Sequence, residues 1–317
     1  MQKLASAIQD MAKKLLEEKK VDLVVGFAGG SLPLRSTPCF IRKPEDAEKL
    51  TWDYSCENNL ANYLRKREGK VAVVAKGCDV RSIVALINEN QVSRDNLYII
   101  GIPCSGMVDR VKADEAVEGK DLLAVEENGG SLILKGKGFS KEVKLDELLH
   151  DTCKVCRYGN PVVYDTIIGD TVPDKAEDSF ADVAAFESLS PAERRAALAA
   201  EFSKCIRCYA CRNACPMCYC TECFVDCSSP EWIKKSTDTA DNIMFQAGRV
   251  FHSAGRCADC GACDRACPMG INLRGMTRKM VKEVKDLFGY ETGVGMGEKP
   301  ALATFTAGDP EPFLVKE

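Results

Sequence analysis

Histidine is nearly absent: His150 and His252 are the only two in 317 residues. Two imidazoles exclude an array of mixed Cys/His zinc fingers. They also leave no visible general acid–base constellation, since isolated histidines more often pack or cap than catalyse. No run of about 18 apolar residues occurs, so no membrane-spanning helix is expected. There is no G-x-G-x-x-G, and the lone Gly29-Gly30 pair reads as a turn rather than a phosphate cradle. An excess of positive charge is also missing. Lys and Arg number 43 against 47 Asp and Glu, a net charge of -4, which argues against nucleic acid or an anionic membrane surface as the main partner. The first stretch, MQKLASAIQDMAKKLLEEKK, is an amphipathic, charge-rich helix pattern without an apolar h-region, so it does not read as a signal peptide. The expected location is the cytoplasm.

What the sequence has in quantity is cysteine, 18 in all. The stretch KCIRCYACRNACPMCYCTECFVDC, from Lys204 to Cys227, holds eight of them. A reducing cytosol disfavours disulfides, so the thiols point to metal. With so few imidazoles, the sites are thiolate-only: zinc or iron–sulfur.

The pattern decides between these. Cys205-x-x-Cys208-x-x-Cys211-x-x-x-Cys215-Pro216 recurs as Cys257-x-x-Cys260-x-x-Cys263-x-x-x-Cys267-Pro268. Three cysteines two residues apart wrap a loop around one face of a 4Fe-4S cubane. The fourth lies about one helical turn further on and, in two-cluster proteins, ligates the other cluster. The expected sets are therefore crossed: Cys205, Cys208, Cys211 and Cys267 for one cluster, Cys257, Cys260, Cys263 and Cys215 for the other. Small neighbours such as Ala210, Ala214, Gly261, Ala262 and Ala266 let backbone N–H groups approach the sulfurs. A four-cysteine zinc site normally shows two C-x-x-C pairs across a longer loop, which fits less well.

Along the chain, VDLVVGF, VAVVA and LYIIGI are short Val/Ile-rich runs like the strands of a buried parallel sheet. Helical patterns, NNLANYLRKREG and DVRSIVALINENQ, lie between them. The expected fold is an α/β domain with a mostly parallel sheet over 1–169, then a mainly helical, bacterial-ferredoxin-like dicluster domain over 170–317. GDTVPDKAEDSFADVAAFESL reads as a polar connector. Ser190-Pro191-Ala192-Glu193 then signals a helix start, with Ser as N-cap and Glu three residues on. The final ALATFTAGDPEPFLVKE shows no periodicity and is expected on the surface or against a partner subunit.

Cys78 and Cys104 each follow a strand, and Cys153-x-x-Cys156 comes later. Strand ends of a parallel sheet share one edge, so Cys78 and Cys104 are expected as neighbours that can join the C-x-x-C pair around a third cluster; buried small hydrophobes are the alternative. Cys218, Cys220, Cys223 and Cys227 match neither a ferredoxin cage nor a zinc knuckle. Three readings stay open for them: a fourth cluster, with Cys39 or Cys56 able to replace one member, a structural zinc, or free thiols. Arg207, Arg212, Arg256 and Arg265 interleave the motifs, where they either balance thiolate charge or form a solvated face. His252 is placed to hydrogen-bond near a cluster sulfur.

KVAVVAKGCDVRSI resembles the "VAVVGTPCQ" element of the coenzyme F-420 hydrogenase and dehydrogenase beta-subunit family. GIPCSG is similar to that family's second cysteine element, and CKVCRYGNPVVYDTIIGD to its C-x-x-C segment. The dicluster region resembles that of formate dehydrogenase beta subunits, and the likeness spans roughly residues 20–290. The resemblance implies a 4Fe-4S cluster on Cys78, Cys104, Cys153 and Cys156 and, in many members, a flavin (FAD) facing the deazaflavin. The family's Ser-Gly-Gly turn before the helix leading into "VDGVV" has no counterpart here. The expected function is an iron–sulfur electron-transfer subunit of a multisubunit anaerobic oxidoreductase, passing single electrons between a flavin or other redox site and partner subunits. The runner-up is a flavoenzyme acting on a deazaflavin coenzyme, and a zinc protein or cluster-based sensor comes third.

Overall fold

A computed structural model describes residues 2–301. They divide into two compact units: Met1–Val80 with Val92–Asp178, and Arg81–Gln91 with the chain from Ser179 onward. The final segment of the sequence lies outside the described residues except for its first residue, Ala301.

In the first unit, α1 (Gln2–Glu17) buries Ile8, Ala12, Leu15 and Leu16, the single stripe that a 3.6-residue period allows. The strands β1 (Leu23–Gly29), β2 (Ser36–Ile41), β3 (Leu50–Thr51) and β4 (Val71–Ala75) follow. α2 (Gly77–Asn88) comes next, its residues from Arg81 counting with the second unit, and then β5 (Leu97–Gly101). After α3 (Arg110–Ala116) come β6 (Leu122–Asn128), β7 (Ser131–Gly136) and β8 (Phe139–Lys144). The unit ends with α4 (Leu145–Leu148), α5 (Asp151–Lys154) and β9 (Thr166–Ile167).

The main sheet runs β2-β1-β4-β5-β9 with β3 also on β1. The pairs β1/β4, β4/β5 and β5/β9 are parallel, while β2 and β3 are antiparallel to β1. The sheet is mostly parallel, as the apolar runs predict. All five residues of β4 are buried, the pattern of a strand covered on both faces.

Two segments differ from expectation. NNLANYLRKREG forms only a short 3-10 turn at Leu60–Tyr63, because Lys66 and Gly69 take left-handed φ values of 56° and 75° that break a helix. Residues 122–144 fold as an antiparallel sheet, β6-β7-β8, that no apolar run announces. Its first hairpin turns at Gly129 and Gly130, with φ of 51° and 95°, a conformation glycine adopts without strain. Leu132, Leu134 and Val143 of this sheet pack with Val108, Ala113 and Leu148.

In the second unit, all regular elements among the described residues from Ser179 on are helical: α6 (Ala181–Glu187), α7 (Pro191–Ser203), α8 (Ala210–Ala214), α9 (Thr239–His252), α10 (Ala262–Arg265) and α11 (Arg274–Phe288). α6 lies inside the stretch expected as a connector. A tertiary ion pair supports it, since Arg278 donates to both Asp182 carboxylate oxygens at 2.7 and 2.9 Å. α7 starts as predicted, with a reciprocal capping box: Glu193 N donates to Ser190 Oγ at 3.3 Å, and Ser190 N to Glu193 Oε2 at 2.8 Å. α9 buries Asn242, Phe245, Gln246, Arg249 and Val250 along one face. Phe245 is 1 % exposed and meets Tyr209 edge-on at 5.4 Å, in a cluster with Phe202, Val225, Ile271 and Leu273.

Phe245→Ala removes a fully buried ring and is expected to cost about 3–5 kcal/mol, read as a lower urea midpoint for the second unit's helical signal. A midpoint unchanged from the parent would contradict this packing.

Candidate iron–sulfur centres

The two cysteine loops share a backbone device. Arg207 and Tyr209 in the first have φ of 56° and 61°; Asp259 and Gly261, at the equivalent positions of the second, have φ of 50° and 70°. Left-handed backbone costs a non-glycine residue about 1 kcal/mol or more, so its repetition marks a conformation that the surroundings impose. In the first loop Cys205 and Cys211 are buried while Cys208 stays exposed, and the second loop's cysteines are half-buried. A short helix follows each curl, α8 capped by Tyr209 and α10 capped by Gly261.

Cys205, Cys208, Cys211 and Cys267 line one small cavity, with Phe245, Gln246 and Ile271 among its walls. Cys260, Cys215 and Cys263 lie within electrostatic reach of Cys257, though among the described residues no three cysteines, histidines or carboxylates stand close enough together to hold a metal ion. Burial, then Asp259 and the neighbouring thiols Cys260, Cys215 and Cys263, pushes Cys257 well above the usual thiol range. Cys263 is pushed up to about 12, by burial first and by Asp264, Cys215 and Cys260 among its neighbours. All 18 cysteines are free of disulfides. Buried, crowded thiols resist ionisation until a cation arrives, and this donor set suits iron held by thiolates.

Most of the arginines that interleave the motifs are paired elsewhere. Arg207 donates to Asp241 O at 3.0 Å and lies over the Phe245 ring at 4.9 Å. Arg212 pairs with Asp226 at 2.7 Å, Arg256 with Glu89 at 2.7 and 2.9 Å, and Arg265 donates to Cys260 O at 2.8 Å. His252 is exposed and meets Phe224 edge-on at 5.0 Å. Other side chains act on the thiols: Gln246 Nε2 donates to Cys205 Sγ at 3.9 Å, and Arg249 lies within electrostatic reach of Cys211, Cys215, Cys218 and Cys263. Neither stands in a motif. Their signal in the sequence is polar residues at positions 242, 246 and 249, on the face of α9 that also carries Phe245 and Val250.

In the cysteine-rich insert, Cys218, Cys220 and Cys223 line a cavity of about 220 Å³ together with Arg212, Arg249, Arg256 and His252. Cys227 does not line it; its Sγ donates to Cys223 O at 3.6 Å. Cys218 sits against Cys215, whose hydrogen bond lowers it below the usual thiol range. Cys39 and Cys56 belong to the first unit. Cys39 is on β2, and Cys56 is wholly buried, accepts from Asp53 N at 3.4 Å and is pushed up to about 12 by burial.

In the first unit, Ala75 pairs with Gly101 across the parallel strands β4 and β5, so Cys78 and Cys104 follow at equal offsets on one sheet edge. The C-x-x-C segment docks on that edge. Cys104 N donates to Gly159 O at 2.9 Å, and Met107 N to Cys153 Sγ at 3.4 Å. Burial, then Cys153, pushes Cys104 up to about 12, with Cys156 adding to the rise and Lys76 opposing it. Lys76 itself is buried and donates to Asp79 at 2.9 Å and to Asn58 O at 2.7 Å. Burial works against its charge, but Asp79, Cys78 and Cys104 hold its pKa above the ordinary value. Gly77 has no room for a side chain, since a Cβ would meet Tyr158 O at 1.8 Å. His150 contacts Glu57 at 2.7 Å and Asp109 at 3.5 Å, a structural arrangement.

Residues 68–185 match the family model for the C terminus of the coenzyme F420 hydrogenase/dehydrogenase beta subunit, and residues 201–271 that for a 4Fe-4S dicluster domain. The F420-dependent formate dehydrogenase subunit beta of Methanocaldococcus jannaschii is 27 % identical over 352 residues, covering 91 % of each chain. The F420-dependent formate dehydrogenase 1 subunit beta of Methanococcus maripaludis is 27 % identical over 360 residues, covering 93 % of this chain and 92 % of that one. A chain of the F420-reducing [NiFe] hydrogenase complex from Methanosarcina barkeri is 19 % identical with a TM-score of 0.36, covering 48 % of this chain and 57 % of that chain. No helix among the described residues is long and apolar enough to cross a membrane. The chain is thus similar, over residues 68–185, to the C terminus of coenzyme F420 hydrogenase/dehydrogenase beta subunits and, over residues 201–271, to a 4Fe-4S dicluster domain.

Proposed function

We propose that this protein is the iron–sulfur electron-transfer subunit of a multisubunit, cytoplasmic oxidoreductase, passing single electrons between a flavin or other redox site and partner subunits. Its parts are the α/β domain over 1–169 and the dicluster domain over 170–317. The observation that supports the reading is the matched pair of curled cysteine loops, each with left-handed residues at equivalent positions, on a doubled C-x-x-C-x-x-C-x-x-x-C-P motif. A 4Fe-4S cluster supplies one-electron chemistry, and the protein's part is to hold, shield and tune it. Cys205, Cys208, Cys211 and Cys267 hold one cluster, and Cys257, Cys260, Cys263 and Cys215 the other. Left-handed backbone at Arg207 and Asp259 keeps the loops curled, and Gln246 donates toward Cys205 Sγ.

A third 4Fe-4S site is proposed on Cys78, Cys104, Cys153 and Cys156. The equal offsets of Cys78 and Cys104 and the docking of the C-x-x-C segment support it. For the insert, the cavity supports a metal on Cys218, Cys220 and Cys223. Cys227, which stands off from that cavity, is the weakest member of the set.

The second reading is a flavoenzyme that oxidises or reduces a deazaflavin coenzyme. The names of the matched relatives favour it, since both are F420-dependent formate dehydrogenase subunits. Anaerobic purification with partner chains, followed by flavin, iron, sulfide and zinc analysis, separates the two. The electron-transfer reading expects iron–sulfur clusters and partner chains, with no flavin held by this subunit itself. Flavin bound stoichiometrically to the isolated subunit would overturn that assignment in favour of the second reading. About sixteen irons per chain are expected if the insert carries a cluster, and about twelve with one zinc if it carries a zinc staple. About twelve irons without zinc would leave the insert metal-free and overturn its metal assignment.

Gly77→Ala is expected to push the 158–160 segment off the sheet edge, carrying Cys153 and Cys156 away from Cys78 and Cys104. Iron should fall by about four per chain while the dicluster EPR signals persist. Full iron content in this variant would contradict the third site.

A further inference from the structure

Arg249 is a buried cation. It is 4 % exposed, its Nε donates to Gln246 Oε1 at 3.3 Å, and its Nη2 is buried without a hydrogen-bond partner. No carboxylate pairs with it among the described residues, in contrast to Arg212, Arg256, Arg274 and Arg278, which all have one. An unpaired guanidinium in the interior is costly unless an anion compensates it. Arg249 lines the cavity of about 220 Å³ with Cys218, Cys220 and Cys223, and against the cost of burial the thiols of Cys263, Cys211, Cys215 and Cys218 favour its charge. α9 holds it there, one turn beyond Gln246, which itself donates toward Cys205 Sγ.

A cubane held by four thiolates is anionic, and adding an electron makes it more so. A fixed cation beside it favours the reduced form, and burial strengthens the effect by lowering the local dielectric. A cation within electrostatic reach of two such sites acts on both.

We propose that Arg249 is a shared counter-ion of the two dicluster sites, raising the reduction potential of both together and answering with its orphaned donor the charge that reduction adds. This rests on the dicluster reading above. The role belongs to a positioning residue: Arg249 ligates no iron and touches the electron path only through its charge.

The test uses full-length protein purified anaerobically, with iron counted and the two signals assigned by Cys208→Ser and Cys260→Ser. An iron-free parent protein would sink the dicluster reading itself. With the parent loaded, Arg249→Met is titrated potentiometrically by EPR. A fall in both midpoint potentials at full iron content supports the proposal; a fall in only one, or in neither, overturns it. If Arg249→Met loses its iron, Arg249→Lys decides. Iron retained there supports a requirement for charge, while iron lost there too shows that shape rather than charge was needed and overturns the proposal.

Discussion

Left-handed backbone at Arg207, Tyr209, Asp259 and Gly261 is the constraint on which the second unit is built. Extended loops would point successive thiols to opposite sides. Two left-handed residues per loop break that alternation, and the short helices α8 and α10 carry Cys211 and Cys263. Three of the four residues are not glycine, so the curls are not intrinsic. They persist because the surroundings hold them: Phe245 against Tyr209, and Asp259 clasped by Arg274 at 2.6 Å and Arg278 at 2.9 Å.

The second consequence is electrostatic. Gathering thiolates in an interior requires fixed positive groups nearby, and the unit supplies them selectively. Arg212, Arg256, Arg274 and Arg278 neutralise carboxylates and brace the scaffold, and Arg278, 2 % exposed, ties α6 and the second cysteine loop together through Asp182 and Asp259. Arg249 is left for the thiols. In the first unit, Lys76 plays a comparable part toward Cys78 and Cys104, but its ion pair with Asp79 limits its reach as a free charge.

Legibility in the sequence followed the range of the interactions. The doubled cysteine motif could be read because its spacing is local. The capping box at Ser190 and the Val/Ile strands could be read for the same reason. The antiparallel sheet at 122–144 was hidden because charged residues interrupt its strands, although Gly129-Gly130 carried a hairpin signal. The helix expected at 58–69 fails at Lys66, where backbone conformation overrides helix propensity. Arg249 was illegible as a site residue: among 43 lysines and arginines, only the buried face of α9 singles it out. The assignment of Arg81–Gln91 to the second unit depends on contacts far along the chain, such as Arg81 with Thr292 O at 2.8 Å, that no local pattern reveals.

The central claim is that two clusters are held by crossed sets of thiolates. The most direct measurement is EPR of dithionite-reduced Cys215→Ser beside the parent protein. The account predicts a changed or lost signal for the cluster of Cys257, Cys260 and Cys263, with the signal of the Cys205, Cys208 and Cys211 cluster intact. Loss of the latter signal alone would show that each loop closes on its own fourth cysteine and would contradict the account.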